Sequence, residues 1–365
     1  MQTRNTIQET LLRSTLILSI VSILVSCQLL PSPAQNTAPA PLFVETAPPL
    51  PETFQTELLN PLDAPHTYIE ETCRYLRARW NPRSAAPGTV VMVILFKNIN
   101  TGTAEQPDSI RILDFFELMD QLNAQGFKAI NIEQLQAFME RNVEIPPRSV
   151  VLIQDSNQSE EYYNKNFRDY FERWGWVVVN GWVSERNPDP VLMEQNFSLE
   201  YEGFVDHQAR GVSPDVSLTD DVSKIIIARE LQGSLNGFAD YFGKTPTAIV
   251  WPNGGFGIRP VEAARQLRFK LGFTSNPRGP LMYNWTPLAD VEDPERPGLI
   301  PEGPIRDPLM TLPVYSSNEA LLAIDTVRAI GKSAAEHAES NREAEIAYYE
   351  AACEEEYGPI PILVP

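Results

Sequence analysis

Short, wholly apolar runs alternate with amphipathic helical segments along this chain, and few folds accept that pattern. Residues 89–96 form an unbroken apolar run rich in β-branched side chains, as expected of a strand covered on both faces. Runs at 149–153, 177–179, 247–251 and 271–274 repeat the theme, with a shorter one at 129–132. Between them, residues 110–125 place Ile112, Phe115, Phe116, Met119 and Leu122 at helical spacing, and Gly126 closes the segment. Further helical patterns fall at 132–141, 167–174, 223–242 and 259–267. Repeated strand–helix units of this length imply parallel strands with helices outside, either a barrel or a doubly wound sheet. A last helical pattern covers 319–355. Its apolar positions, Leu321, Ile324, Val327 and Ile330, give out after Lys332, which predicts an exposed second half.

The N-terminus is of another kind. Arg4 and Arg13 flank an apolar run at 15–25, shorter than the roughly 20 residues that span a bilayer. Basic flank, short apolar core and small residue before a cut have the layout of a secretory signal over 1–26. Leu24-Val25-Ser26-Cys27 resembles the lipobox of bacterial lipoproteins, which implies lipid on Cys27 and a membrane anchor at the cell envelope. With Gln28 next, the same resemblance implies the outer membrane in a two-membrane cell, with the domain periplasmic or extracellular. Residues 27–65 are crowded with proline (Pro31, Pro33, Pro39, Pro41, Pro48, Pro49, Pro51, Pro61) and read as an extended spacer. A short helix is expected over 68–78, within a folded domain at 66–318, and 319–365 forms a C-terminal helix and tail.

A net charge of -19 argues against nucleic acid, whose phosphates need clustered Lys and Arg. With 43% hydrophobic residues the chain can bury a full-sized core after losing its leader. If Cys27 carries lipid, Cys73 and Cys353 remain. In an oxidising compartment that pair reads more naturally as a disulfide than as a metal site.

Several stretches then resemble one family, the polysaccharide deacetylases of carbohydrate esterase family four (the NodB-homology domain). Phe115-Phe116-Glu117-Leu118 through Gly126-Phe127-Lys128-Ala129-Ile130 is similar to the family's first helix and entry to its second strand. The stretch from Ile145-Pro146-Pro147-Arg148 to Leu152 is similar to the lead-in of its metal motif. Trp251-Pro252-Asn253-Gly254 and Gly272-Phe273-Thr274 resemble two later signatures. The resemblance spans about residues 89–315 and implies a deformed (β/α) barrel, here with a C-terminal helix, whose site lies at the C-terminal ends of the strands.

The family's chemistry is metal-assisted removal of an acetyl group. One aspartate and two histidines hold the metal, a neighbouring aspartate is the base, and another histidine is the acid. By position Asp155 matches the base, but in Ile153-Gln154-Asp155-Ser156-Asn157 the ligand aspartate has become Ser156. In His207-Gln208-Ala209-Arg210-Gly211 the first histidine remains and its partner is Gly211. The acid histidine is missing from Met310-Thr311-Leu312-Pro313-Val314-Tyr315, and His66 and His337 read as ordinary exposed residues. Asp206, Asp215, Asp220 and Asp221 near His207 could supply hard ligands instead. The plainer reading is a solvated loop before a helix, capped by Thr219 or Asp220.

The expectation is therefore an α/β pseudoenzyme without a cofactor that binds an acetylated, N-acetylglucosamine-type envelope glycan. Its cleft would comprise Ser156, His207, Trp251, Pro252, Asn253 and Tyr315. Trp251, Trp182 and Tyr315 are the candidates for stacking on sugar rings. One alternative is an active deacetylase with an unusual Zn or other divalent site, Asp155 serving as base. Another is a structural partner in an envelope or biofilm assembly. On the ligand-count argument, Ser156→Asp with Gly211→His should raise Zn²⁺ affinity by restoring two donors.

Overall fold

The structure, a computed structural model, describes residues 47–102 and 109–362. The leader, Cys27 and the first half of the proline-rich stretch lie outside the described residues.

Strand β1 (Asp63–His66) and helix α1 (Thr72–Arg79) precede the barrel. Then follow β2 (Val90–Phe96), the small pair β3 (Asn98–Asn100) and β4 (Ser109–Arg111), α2 (Ile112–Ala124), β5 (Lys128–Ala129) and α3 (Ile132–Arg141). β6 (Arg148–Asp155) leads through α4 (Glu160–Asn166) and α5 (Arg168–Trp174) to β7 (Val178–Trp182), α6 (Pro190–Glu202) and β8 (Val205–Ala209). Next come α7 (Lys224–Tyr241), β9 (Ala248–Val250), α8 (Ile258–Gln266) and β10 (Leu271–Phe273). β11 (Thr286–Ala289), β12 (Tyr315–Ser316), α9 (Ser317–Ala352) and α10 (Glu354–Tyr357) complete the domain.

One curled parallel sheet organises these elements in the order β10-β9-β8-β7-β6-β2-β12, with β5 beside β6. The curl closes through Leu312, whose N–H donates to Gly272 O (2.7 Å) and whose carbonyl accepts from Thr274 N (2.9 Å). The chain then runs on into β12, paired with β2. Every residue of β2 is buried. Val91, Val93 and Leu95 join Val151, Ile153, Val179 and Phe273 inside the barrel. Val90, Met92, Ile94 and Phe96 face α2 and α9 in a second core. Burial on both faces is why these strands read as continuous apolar runs.

Three sequence expectations are corrected. The spacer ends earlier than residue 65, because its described part is laid onto the domain. The Phe54 ring lies 5.9 Å from Trp285 and 5.5 Å from His337. β1 pairs antiparallel with β11, Pro65 opposite Pro287. A two-stranded ribbon tolerates prolines that an inner strand would not. Asp63, buried, accepts from Arg278 (2.9 Å) and Arg296 (2.9 and 3.0 Å), which pins this arm to the barrel.

The second half of α9 is not exposed throughout. Ala334, Ala338, Glu345 and Tyr349 are buried, and Glu345 accepts from Arg79 (2.8 Å) and from the Trp80 indole (2.7 Å). Small alanines allow close packing without a strong apolar stripe, which hid this face. Cys73 on α1 and Cys353 after α9 form a disulfide with Cα atoms 5.4 Å apart. Finally, Ser223 caps α7, while Asp220 caps α8 by accepting from Ile258 N (2.9 Å) and Arg259 N (2.8 Å).

Candidate functional site at the barrel mouth

Side chains alternate along a strand, so 151, 153 and 155 on β6 share the inward face and Asp155 stands at its upper end. On β8, Val205 and Ala209 pack in the outer cores, so His207 shares their face and Asp206, Gln208 and Arg210 take the other. Asp155 and Arg210 therefore meet at the mouth. Arg210 Nε donates to Asp155 Oδ1 in a buried ion pair, and Nη2 lies 3.5 Å from Oδ2. The same guanidinium reaches Pro214 O (3.1 Å) and Asn253 Oδ1 (3.3 Å). Each carboxylate oxygen thus faces one guanidinium nitrogen, which turns one lone pair on each away from the mouth.

Around this pair most polar groups are paired, with Asn180 Oδ1 left buried without a partner. Ser156 has φ +72°, its N–H donates to Gly181 O (3.1 Å), and its carbonyl accepts from Asn180 (2.8 Å). Gln154 accepts from the Tyr162 hydroxyl (2.7 Å) and donates to Lys97 O (3.1 Å). Glu230, buried under the next loop, accepts from Val212 N (2.9 Å) and Ser213 N (2.8 Å). Burial pushes its pKa up, but those amides and Arg229 prevail and hold it below the ordinary 4.5.

His207 is absent from this mouth. Its ring is fully buried, stacked on Phe242 at 4.6 Å and edge-on to Trp182 at 5.5 Å. Nδ1 lies 2.9 Å from Glu200 and Nε2 2.9 Å from the Asn196 amide oxygen, both on α6. Burial holds its pKa below 6.5 against the pull of the Glu200 carboxylate. For Glu200, burial raises the pKa, but His207 and Lys244 overcome this and lower it below 4.5.

The expected stacking platform is also absent from the cleft. Trp251 is buried with its indole donating to Met310 O (2.7 Å), and Trp182 and Tyr315 are buried in the outer cores. Pro252 is buried, whereas Asn253 is exposed in a left-handed conformation (φ 54°) and Ser156 is half-buried. Of the six expected cleft residues, Ser156 and Asn253 present side chains there.

Sequence comparison matches no family model and no curated protein. Among solved structures, the chain is similar to the Streptococcus pyogenes deacetylase PplD in complex with acetate, at 14% identity and a TM-score of 0.51, over 66% of this chain and 99% of that one. The fold is of the polysaccharide-deacetylase type. IcaB from Ammonifex degensii (12% identity, TM-score 0.49, 68% of this chain and 100% of that one) is also similar. So is a Bacillus cereus polysaccharide deacetylase (13%, 0.47, 64% and 69%).

A divalent metal in a deacetylase-type barrel needs converging donors, about three from the protein plus water. The matched positions do not fit it. Ser156 is a neutral hydroxyl, Gly211 has no side chain, and the His207 ring nitrogens are engaged in the helix layer. Among the described residues no group of three or more His, Cys, Asp or Glu converges. The acidic alternative disperses as well. Asp206 bonds Ile132 N and Lys244 (both 3.1 Å), Asp220 caps α8, and Asp215 and Asp221 are exposed.

Arg210 is the functional-site residue that sequence reasoning missed. It stands within the same five-residue motif as His207, and alternation alone aims it at Asp155.

Proposed function

We propose that this chain is a lipid-anchored envelope protein whose deacetylase-type barrel binds an acetylated glycan and does not hydrolyse it. The observation that carries the reading is the Asp155–Arg210 pair, which occupies the position of the base. The engagement of both His207 ring nitrogens with α6 reinforces it. With the aromatic candidates buried, recognition falls to the polar rim, the half-buried Ser156 and the exposed Asn253, through hydrogen bonds to hydroxyl and acetamido groups.

Two measurements on the purified chain test this. N-acetylglucosamine oligomers should bind reversibly, Asn253→Ala should weaken binding, and acetate release should stay at background with added zinc. Acetate release that Asp155→Asn abolishes would establish the active-enzyme reading instead. Absence of any glycan binding would favour the structural-partner reading. For the anchor, a fatty-acid probe should label the wild type in bacterial cells and not Cys27→Ser; equal labelling rejects it.

A further inference from the structure

A cavity of about 290 Å³ lies at the opposite end of the barrel from Asp155. Thr89, just before β2, forms part of its floor, and the arm at 50–54, α1, α9 and the loop at 282–285 form its walls. That volume is near the lower edge of small-molecule sites, roughly 300 Å³.

Its lining is chemically selective. It includes Phe54, packed with Trp285 and His337, and Tyr75, stacked on Tyr283 at 5.8 Å. Aromatic rings suit an organic cation, and the Arg79 guanidinium already lies over the Tyr75 ring at 5.6 Å, which leaves Phe54 and Trp285 for the ligand. Three polar atoms in lining residues are buried without a partner: Asn142 Oδ1, Tyr283 Oη and His337 Nδ1. The amide oxygen can only accept and the phenol oxygen can, so a ligand with several donors answers those two, while His337 Nε2 takes the Asn341 amide N–H (3.2 Å), which leaves Nδ1 as a donor. Charge points the same way. Arg79 is cancelled by Glu345 at 2.8 Å, leaving the exposed Glu52 and Glu70 as the other charged groups of the lining. An ammonium carries three donors, no acceptor and a positive charge.

We propose that this basal cavity is a binding site for a small organic ammonium of about the size of an amino-sugar ring. The arm at 50–54 supplies Phe54 and Glu52, so the segment leading from the N-terminus is itself a wall of the site. The inference is independent of glycan binding at the mouth.

The test titrates the purified full chain calorimetrically with glucosamine and, as a neutral ring of the same scaffold without the acetamido group proposed to be read at the mouth, glucose. The ammonium should bind about tenfold more tightly, the scale of one cation–π contact with a desolvated cation. Glu52→Gln with Glu70→Gln, both at exposed positions, should weaken glucosamine binding several-fold. Phe54→Ala, checked for an unchanged melting curve, should weaken it further, and Asn253→Ala at the mouth should leave it as it was. Equal affinity for the two rings, no binding by glucosamine, or binding lost in Asn253→Ala and kept in Phe54→Ala each overturns the proposal. Because N-acetylglucosamine oligomers and Asn253→Ala read the mouth separately, failure here and failure of the glycan reading give different patterns.

Discussion

His207→Ala should destabilise the fold severely while leaving the barrel mouth as it is. Removing the imidazole strands the amide oxygen of Asn196, a fully buried residue, because the Asn196 amide nitrogen is already committed to Gln158 O (3.0 Å) and Leu192 O (2.9 Å). A buried group left unpaired costs about 1–3 kcal/mol. Glu200 suffers less, since it keeps Lys244 (2.6 Å) and the backbone N–H of residue 207 (2.8 Å). The lost ring contacts with Phe242 and Trp182 add about 0.5–1.5 kcal/mol, and the void adds more. These terms overlap, so a total of about 3–4 kcal/mol is expected, a large share of the 5–15 kcal/mol typical of a domain. Urea unfolding of the purified variant reads this directly as a lower midpoint at unchanged slope. A loss below about 1 kcal/mol would refute the structural assignment and restore the histidine to the candidate ligands.

Other variants separate the mouth from its surroundings. Arg210→Ala leaves Asp155 buried without its countercharge and should cost about 3–5 kcal/mol in urea unfolding; a neutral result would mean Asp155 is solvated. Ser156→Asp with Gly211→His should fail to gain zinc, contrary to the ligand-count expectation. Gly211 has φ +109° and its Cβ would sit 3.3 Å from Glu230, while His207 still faces the helices. Stoichiometric zinc after dialysis would count against this geometry. Acid should loosen the domain through Glu200 and Glu230, whose folded pKa values lie below 4.5. Groups of that kind contribute stability that is complete above about pH 4.5 and is lost as pH falls through the folded values. Urea midpoints measured between pH 7 and pH 3 should therefore decline below about 4.5, and a flat profile rejects the assignment.

The parts of the fold that were legible are those where burial on both faces writes itself as an apolar run. β2, β6, α3, α7 and α8 lie within about two residues of their expected positions. α6 escaped because its apolar residues form no stripe: Val191, Phe197 and Tyr201 are exposed while Asn196 is buried. β8 escaped because its inward row is polar and resembles a loop by composition.

That strand also explains why the site was only half legible. Matching a motif letter by letter assigns each residue a role by spacing, but a strand assigns its side chains by parity. Along 205–210, Val205, His207 and Ala209 form one row, and Asp206, Gln208 and Arg210 the other. The hydrophobic members put the first row against the helices, so the histidine belongs to the packing of α6 and α7 whatever its alignment implies. The second row faces the interior, where β6 delivers one carboxylate at its last residue. An arginine at the end of an inward polar row, opposite an aspartate at the end of another, is an ion pair before any coordinate is known. Read this way, the motif that lacks its second histidine specifies a cation for Asp155 in place of a metal.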